Sequence, residues 1–306
     1  MSQDPPFSVL TASLTPLDHN LNIDCDHLAS HAQWLLSQGA SGIVLLGTTG
    51  EANSFNISER KRALEAVVHS GIRPDKLIVG TGCSALTDTL NLTKHALDIG
   101  ICRVLVMPPF YYKNVSEDGL YASYDYLLQH VGNSEIRLYL YHFPKMSAIP
   151  ITSVLVERLL RSYPDQIAGF KDSSGDWTNI SMMVQQFPGL QVFAGSEQFL
   201  LDTIRAGGAG CISATANVTS RLAAEVLSKW NAPEAEALQR HLYQIRKAVE
   251  RWPMIAALKA LLQDLTGHPH WKNLRPPLKA LNVTDAHRCI HSYKGLLESR
   301  QTSNDQ

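Results

Sequence analysis

The chain has 306 residues, 44% of them hydrophobic, enough to bury a large core, and its 27 basic side chains balance 28 acidic ones to a formal net charge of -1. It has neither the basic stripe that would neutralise nucleic-acid phosphates nor an apolar run long enough to cross a bilayer. Residues 1–6 are polar and lack an apolar signal core, and the five cysteines, Cys25, Cys83, Cys102, Cys211 and Cys289, are odd in number and widely spaced, so a cytoplasmic protein with buried thiols is expected.

Short β-rich runs alternate with amphipathic stretches along most of the chain. Strands are expected at 8–13, 42–46, 76–81, 103–107, 137–143, 167–171, 190–194 and 210–215. Between them, helical spacing of apolar residues predicts helices over 25–38, 58–70, 87–100, 116–130, 152–163, 178–187 and 198–206. Most of the strands are largely apolar rather than alternating, as expected when both faces are covered, and eight such units close into a (β/α)8 TIM barrel. An open, doubly wound sheet is the competing architecture. It would carry a glycine-rich turn after the first strand, where Thr11-Ala-Ser-Leu-Thr-Pro16 has no glycine. Beyond residue 215 the pattern is helical only, with helices expected at 222–230, 233–251, 254–265 and 292–299, Pro233 and Pro253 in first turns, and a polar tail at 300–306. A catalytic barrel domain over 1–230 and a C-terminal helical extension over 231–306 follow.

In such a barrel the chemistry sits at the C-terminal ends of the strands. The sixth strand ends in Ile167-Ala-Gly-Phe-Lys-Asp172, which places Lys171 beside apolar sequence. Poor solvation there lowers an amine's pKa, and a neutral amine attacks a ketone to form a Schiff base; the competing fate is a lysine that snorkels to solvent. The second strand ends in Gly47-Thr-Thr-Gly-Glu51, whose hydroxyls and backbone N–H groups suit a carboxylate, although Gly and Thr also build ordinary turns. Phenols follow the fourth and fifth strands in Pro108-Pro-Phe-Tyr-Tyr-Lys113 and Tyr139-Leu-Tyr-His-Phe-Pro144. Such rings commonly serve as packing, but beside a Schiff-base lysine one can shuttle protons. The eighth strand ends in Cys211-Ile-Ser-Ala-Thr-Ala-Asn217 without the glycine cluster of a phosphate cradle, which disfavours a phosphorylated substrate or flavin. His268-Pro-His270 reads as a surface loop, and neither a metal nor a cofactor is expected.

In this order and on these strands, Gly47-Thr-Thr-Gly-Glu51, Tyr141-His-Phe-Pro144 and Gly169-Phe-Lys-Asp-Ser-Ser-Gly-Asp176 closely resemble the dihydrodipicolinate synthase / N-acetylneuraminate lyase family, over nearly the whole chain. The resemblance implies a (β/α)8 class I aldolase that binds or releases pyruvate through a lysine Schiff base, in a homotetramer built as a dimer of dimers. It makes Lys171 the imine-forming residue and Tyr141 the proton-relaying phenol. Thr48 and Thr49, with Gly47, would hold the pyruvate carboxylate, and the Ile212 carbonyl would face the lysine. Tyr112 matches a tyrosine that reaches into the neighbouring subunit's site to complete a relay with Thr48 and Tyr141. Members that use aspartate semialdehyde carry an arginine where this chain has Met146, with Lys145 beside it, and Ile57, Arg60 and Ser84 stand where lysine-inhibited members have imidazole and amide groups. Sialic acid lyases grip sugar hydroxyls with an acidic pair after strand seven. Here Ser196 and Glu197 would bind hydroxyls of a smaller 2-oxo-3-deoxy acid. The expected activity is a pyruvate-dependent aldolase or lyase. The alternatives are a 4-hydroxy-tetrahydrodipicolinate synthase using aspartate semialdehyde, and a 2-oxo acid sensor without turnover.

Overall fold

The computed structural model describes residues 8–304, with side chains through residue 299; residues 1–7, and 305 and 306 of the tail, lie outside the described residues. Eight parallel strands form a closed barrel in sequence order: β1 Ser8–Ala12, β2 Gly42–Leu45, β3 Leu77–Gly80, β4 Arg103–Val106, β5 Arg137–His142, β6 Ile167–Asp172, β7 Gln191–Ala194 and β8 Gly210–Ser213. The pairing of β1 with β8 closes the ring and removes the open-sheet alternative. The helices between them are α1 Cys25–Ser37, α2 Ile57–His69, α3 Leu86–Asp98, α4 Glu117–His130, the single turn α5 Pro144–Ser147, α6 Ser153–Ser162, α7 Trp177–Gln186 and α8 Leu200–Arg205. Then follow α9 Ala216–Ser228, α10 Ala235–Val249, α11 Met254–Thr266 and α12 Val283–Asn304.

Local chemistry sets several helix starts. The Asp24, Ser116, Thr152 and Asp176 side chains accept from first-turn N–H groups, and Asn56 with Glu59 closes a reciprocal capping box on α2. Alternation along the strands then divides the core. Leu10, Val44, Ile78, Leu105, Tyr139, Tyr141, Phe193 and Ile212 point inward and fill the barrel, while their neighbours Val9, Ile43, Leu77, Val104, Leu138, Leu140 and Val192 face the helices.

Two helices depart from the sequence-based expectation. α9 starts at Ala216, directly after β8, and not at 222, because its first turns bury small polar residues; Ser220 Oγ lies 2.9 Å from Thr11 Oγ1, and Asn217 Nδ2 donates to the Ala12 carbonyl at 2.8 Å. Apolar periodicity does not register such a face. α12 runs from Val283 through Asn304, far beyond 292–299, with Cys289 and Tyr293 as its buried anchors. Of the five cysteines, all free, Cys211 and Cys289 are buried and the other three half-buried. The C-terminal helices do not stand apart from the barrel: α10 packs on α8 and α9, α11 on α9, and α12 on both α10 and α11.

Gly169 supplies a first test. A Cβ there would lie 2.4 Å from Tyr139 Cδ1 and 2.7 Å from the Gln191 carbonyl oxygen, so the inner ring of Tyr139 passes directly over bare backbone. Gly169→Ala is expected to lower stability by about 1–3 kcal/mol, read from denaturant unfolding. An unchanged midpoint would contradict the packing described.

His31 supplies a second. It is 3% exposed between Trp34 and Trp271, with Nε2 held 2.9 Å from Asn217 Oδ1, and burial pushes its pKa down from 6.5 to about 4. The unfolded chain therefore takes up this proton in a range where the folded chain does not, so stability is lost as pH falls from 6.5 toward 4, by up to about 3 kcal/mol. Thermal unfolding of the wild type should weaken between about pH 7 and about pH 5. His31→Gln should show a smaller fall over the same interval, and an equal fall would assign the effect to other groups.

Candidate active site

The register between β5 and β6 sets Tyr141 opposite Lys171, and that between β6 and β7 sets Lys171 opposite Phe193. All three side chains occupy inward positions. Lys171 is 5% exposed, and its Nζ lies 4.3 Å from the centre of the Tyr141 ring, on the ring face. Among the described residues no carboxylate forms an ion pair with it. Its neighbour Asp172 points the other way, where Oδ1 accepts from the Ser174 N–H at 2.8 Å and Oδ2 from Asn179 Nδ2 at 2.6 Å. Tyr141 and Thr48 meet through their hydroxyls, 3.4 Å apart.

Thr48 belongs to a turn built to stay compact. Glu51 N–H donates to the Thr48 carbonyl at 3.1 Å and Ala52 N–H to the Gly47 carbonyl at 3.2 Å, while Leu46 and Glu51 adopt left-handed backbone conformations. A Cβ on Gly50 would crowd the Ser13 carbonyl at 3.0 Å, which explains the second glycine. Beneath the turn the Glu51 carboxylate meets Lys259 Nζ of α11 at 2.5 Å, with the two side chains 0% and 1% exposed, and that ammonium also donates to the Asn273 carbonyl at 2.8 Å. Burial raises the Glu51 carboxyl and lowers the Lys259 ammonium from their ordinary pKa values, and mutual attraction opposes both shifts. Removing one partner would leave an uncompensated buried charge. Thr15 Oγ1 adds a donor to the Gly50 carbonyl at 2.8 Å.

A cavity of about 940 Å³ opens above these groups, and Thr48, Thr49, Tyr141, Lys171, Ser196 and Ile212 lie on its wall. Gly47 sits instead at a small adjoining crevice with Phe110, Thr48 and Tyr141. Tyr112 is not on the cavity wall; it stands 73% exposed beside Tyr111 on the segment between β4 and α4.

Glu197 requires a correction, because it does not reach the cavity. It is 0% exposed, accepts hydrogen bonds from the hydroxyls of Ser213, Thr215 and Thr219, and pairs with Arg246 Nη1 at 3.0 Å. A carboxylate so fully engaged has no lone pair free for a ligand. It anchors Arg246, whose Nε also donates to Glu250 at 2.7 Å, and the Arg246 side chain forms part of the cavity wall. Sequence reasoning missed Arg246 because it lies on α10, within the supposed accessory extension. That extension supplies much of the distal wall, including Lys247, Glu250, Met254, Leu274 and Leu278. Lys145 and Met146 are both exposed and both lie on the cavity wall, with Lys145 Nζ 3.4 Å from where a Gly175 Cβ would stand.

The sequence of this chain matches the Dihydrodipicolinate synthetase family over residues 6–291. It is 36% identical over 295 residues to a DapA-like lyase of Chloroflexus aurantiacus, covering 95% of this chain and 97% of the relative. A 4-hydroxy-tetrahydrodipicolinate synthase of Acidiphilium cryptum is 32% identical over 244 residues, covering 78% and 82% of the two chains. The crystal structure of dihydrodipicolinate synthase from Agrobacterium tumefaciens superposes with a TM-score of 0.87 at 29% identity, over 95% of this chain and 99% of that one. Barrel, ordered strand-end motifs and near-complete coverage agree, and the chain belongs to the dihydrodipicolinate synthetase family.

Proposed function

We propose that this family member is a class I aldolase or lyase that holds pyruvate as a Schiff base on Lys171 and joins it to, or releases it from, a small aldehyde. The observation that carries the reading is the inward Lys171 Nζ over the Tyr141 ring, with the Tyr141 and Thr48 hydroxyls 3.4 Å apart. The amine attacks the ketone carbon of pyruvate, Tyr141 protonates the carbinolamine oxygen, and water leaves as the C=N bond forms. The iminium withdraws electrons, so a proton is lost from the methyl carbon and the resulting enamine adds to an aldehyde. Cleavage is the same sequence reversed. In this reading Thr48 and Thr49 hold the pyruvate carboxylate with hydroxyl and backbone N–H groups, and the Ile212 carbonyl faces Lys171; all four residues lie on the cavity wall.

Tyr112 is proposed to complete the relay in a neighbouring subunit of a dimer of dimers, a role to which its 73% exposure is suited. The free thiols support a cytoplasmic location. The extension over residues 231–306 acts as the distal wall of the active site. A cavity of about 940 Å³ far exceeds pyruvate and leaves room for a second substrate. A 2-oxo-3-deoxy acid fits that space, with its carboxylate where pyruvate's lies, and Ser196 is placed to meet a hydroxyl of the aldehyde half.

A second reading, a 4-hydroxy-tetrahydrodipicolinate synthase, is favoured by Lys145 on the cavity wall, a cation available to the carboxylate of aspartate semialdehyde. One ammonium does not reproduce an arginine's bidentate fork.

Incubation with pyruvate and borohydride should add one reduced pyruvyl group per chain, mapped to Lys171, and Lys171→Ala should remain unlabelled yet folded. An unlabelled wild type would refute the Schiff-base mechanism. In steady-state assays, cleavage of a 2-oxo-3-deoxy acid, or condensation of pyruvate with the hydroxyaldehyde it releases, should exceed condensation of pyruvate with aspartate semialdehyde in kcat/KM. The reverse order, together with a loss on Lys145→Met confined to the semialdehyde, would establish the second reading.

A further inference from the structure

The seam between the start of α1 and the segment after α11 gathers ligating side chains that take no part in lining the lysine cavity. Asp24, His268 and His270 converge there, and one donor atom from each lies within 4.8 Å of the other two. Asp24 is held as the α1 cap: Oδ1 accepts from the His27 N–H at 3.0 Å, which leaves Oδ2 aimed at His270 Nδ1, 2.5 Å away. His268 is stacked on His27, with ring centres 3.6 Å apart and planes 9° from parallel, and the fully buried Trp271 lies behind the pair. Pro269 separates the two histidines and restricts the backbone of both itself and His268.

We propose that Asp24, His268 and His270 form a binding site for one divalent transition-metal ion of the zinc, nickel or cobalt type. Two imidazoles and a carboxylate are the donors such ions prefer over magnesium or calcium. Around an ion at about 2.0–2.1 Å, donor atoms stand about 3–4 Å apart, so side-chain shifts of about 1 Å bring the three into place. The ion replaces the hydrogen bond between Asp24 and His270, any proton on the ligating nitrogens passes to solvent, and water fills the remaining positions. Its role is structural. The chain that leaves His270 continues through Asn273, whose side chain donates to the Leu17 and Asp18 carbonyls, and on to Leu274, Pro277, Leu278 and Lys279 on the cavity wall. A metal here staples that wall to the barrel.

The test uses untagged full-length protein stripped with a chelator and titrated calorimetrically with zinc or nickel. One ion per chain is expected, with a rise in thermal unfolding temperature as metal is added. The His268→Ala/His270→Ala variant should lose binding and the metal-induced rise, judged against its own metal-free unfolding temperature. Asp24→Asn, which retains a capping oxygen, should weaken binding by about tenfold or more. His287 and His291, exposed and one helical turn apart on α12, are the competing chelate, so His287→Ala should leave the titration unchanged. Absence of binding to the stripped wild type, binding that survives loss of His268 and His270, or binding abolished by His287→Ala would each overturn the proposal.

Discussion

Strand register in a closed parallel barrel is the constraint on which the site depends. Side chains alternate between interior and exterior along each strand, so fixing one pairing fixes which residues share the interior. Tyr141 opposite Lys171, and Lys171 opposite Phe193, is such a pairing. It brings a lysine, a phenol and an apolar wall together without any loop having to choose a conformation. A slip of one residue would turn Lys171 toward the helices and carry Asp172 inward, exchanging an amine for a carboxylate. The bare backbone at Gly169, two positions earlier on β6, allows Tyr139 to fill the barrel directly below this pair.

The C-terminal extension acts on the site at two levels. From below, Lys259 of α11 holds the carboxylate of Glu51 and so ties down the turn that carries Thr48 and Thr49. From the side, α10 brings Arg246 to the cavity wall, where Glu197 and Glu250 orient its guanidinium. Both contacts are buried ion pairs, costly to form and costlier to break, and both join segments far apart in sequence. The barrel provides the inward Lys171, and the extension contributes to the shape of the cavity above it.

These differences in origin account for what could be read from the sequence. All eight strands were legible, each with its start or end within a residue or two of the observed one, because buried parallel strands carry continuous apolar runs. The placement of Lys171, Tyr141 and Thr48 at one end of the barrel was legible because they lie on or just after those strands. α9 was placed too late because its buried face is made of Ala, Asn, Thr and Ser rather than large apolar residues. Glu197 was misread as a ligand-binding group. Nothing local to it announces that Arg246, 49 residues further on, neutralises it from another helix. The place of Lys145 on the cavity wall and the approach of Asp24 to His270, 246 residues apart, are likewise products of tertiary folding without a local signal.

The account rests most directly on the identity of the atom that captures pyruvate. A crystal structure of the protein grown with pyruvate is predicted to show continuous density from Lys171 Nζ to the ketone carbon, with the carboxylate against Thr48 and Thr49 and the Tyr141 hydroxyl within hydrogen-bond reach of the reacting carbon's substituents. Pyruvate bound without that bond, or joined to any other side chain, would contradict it.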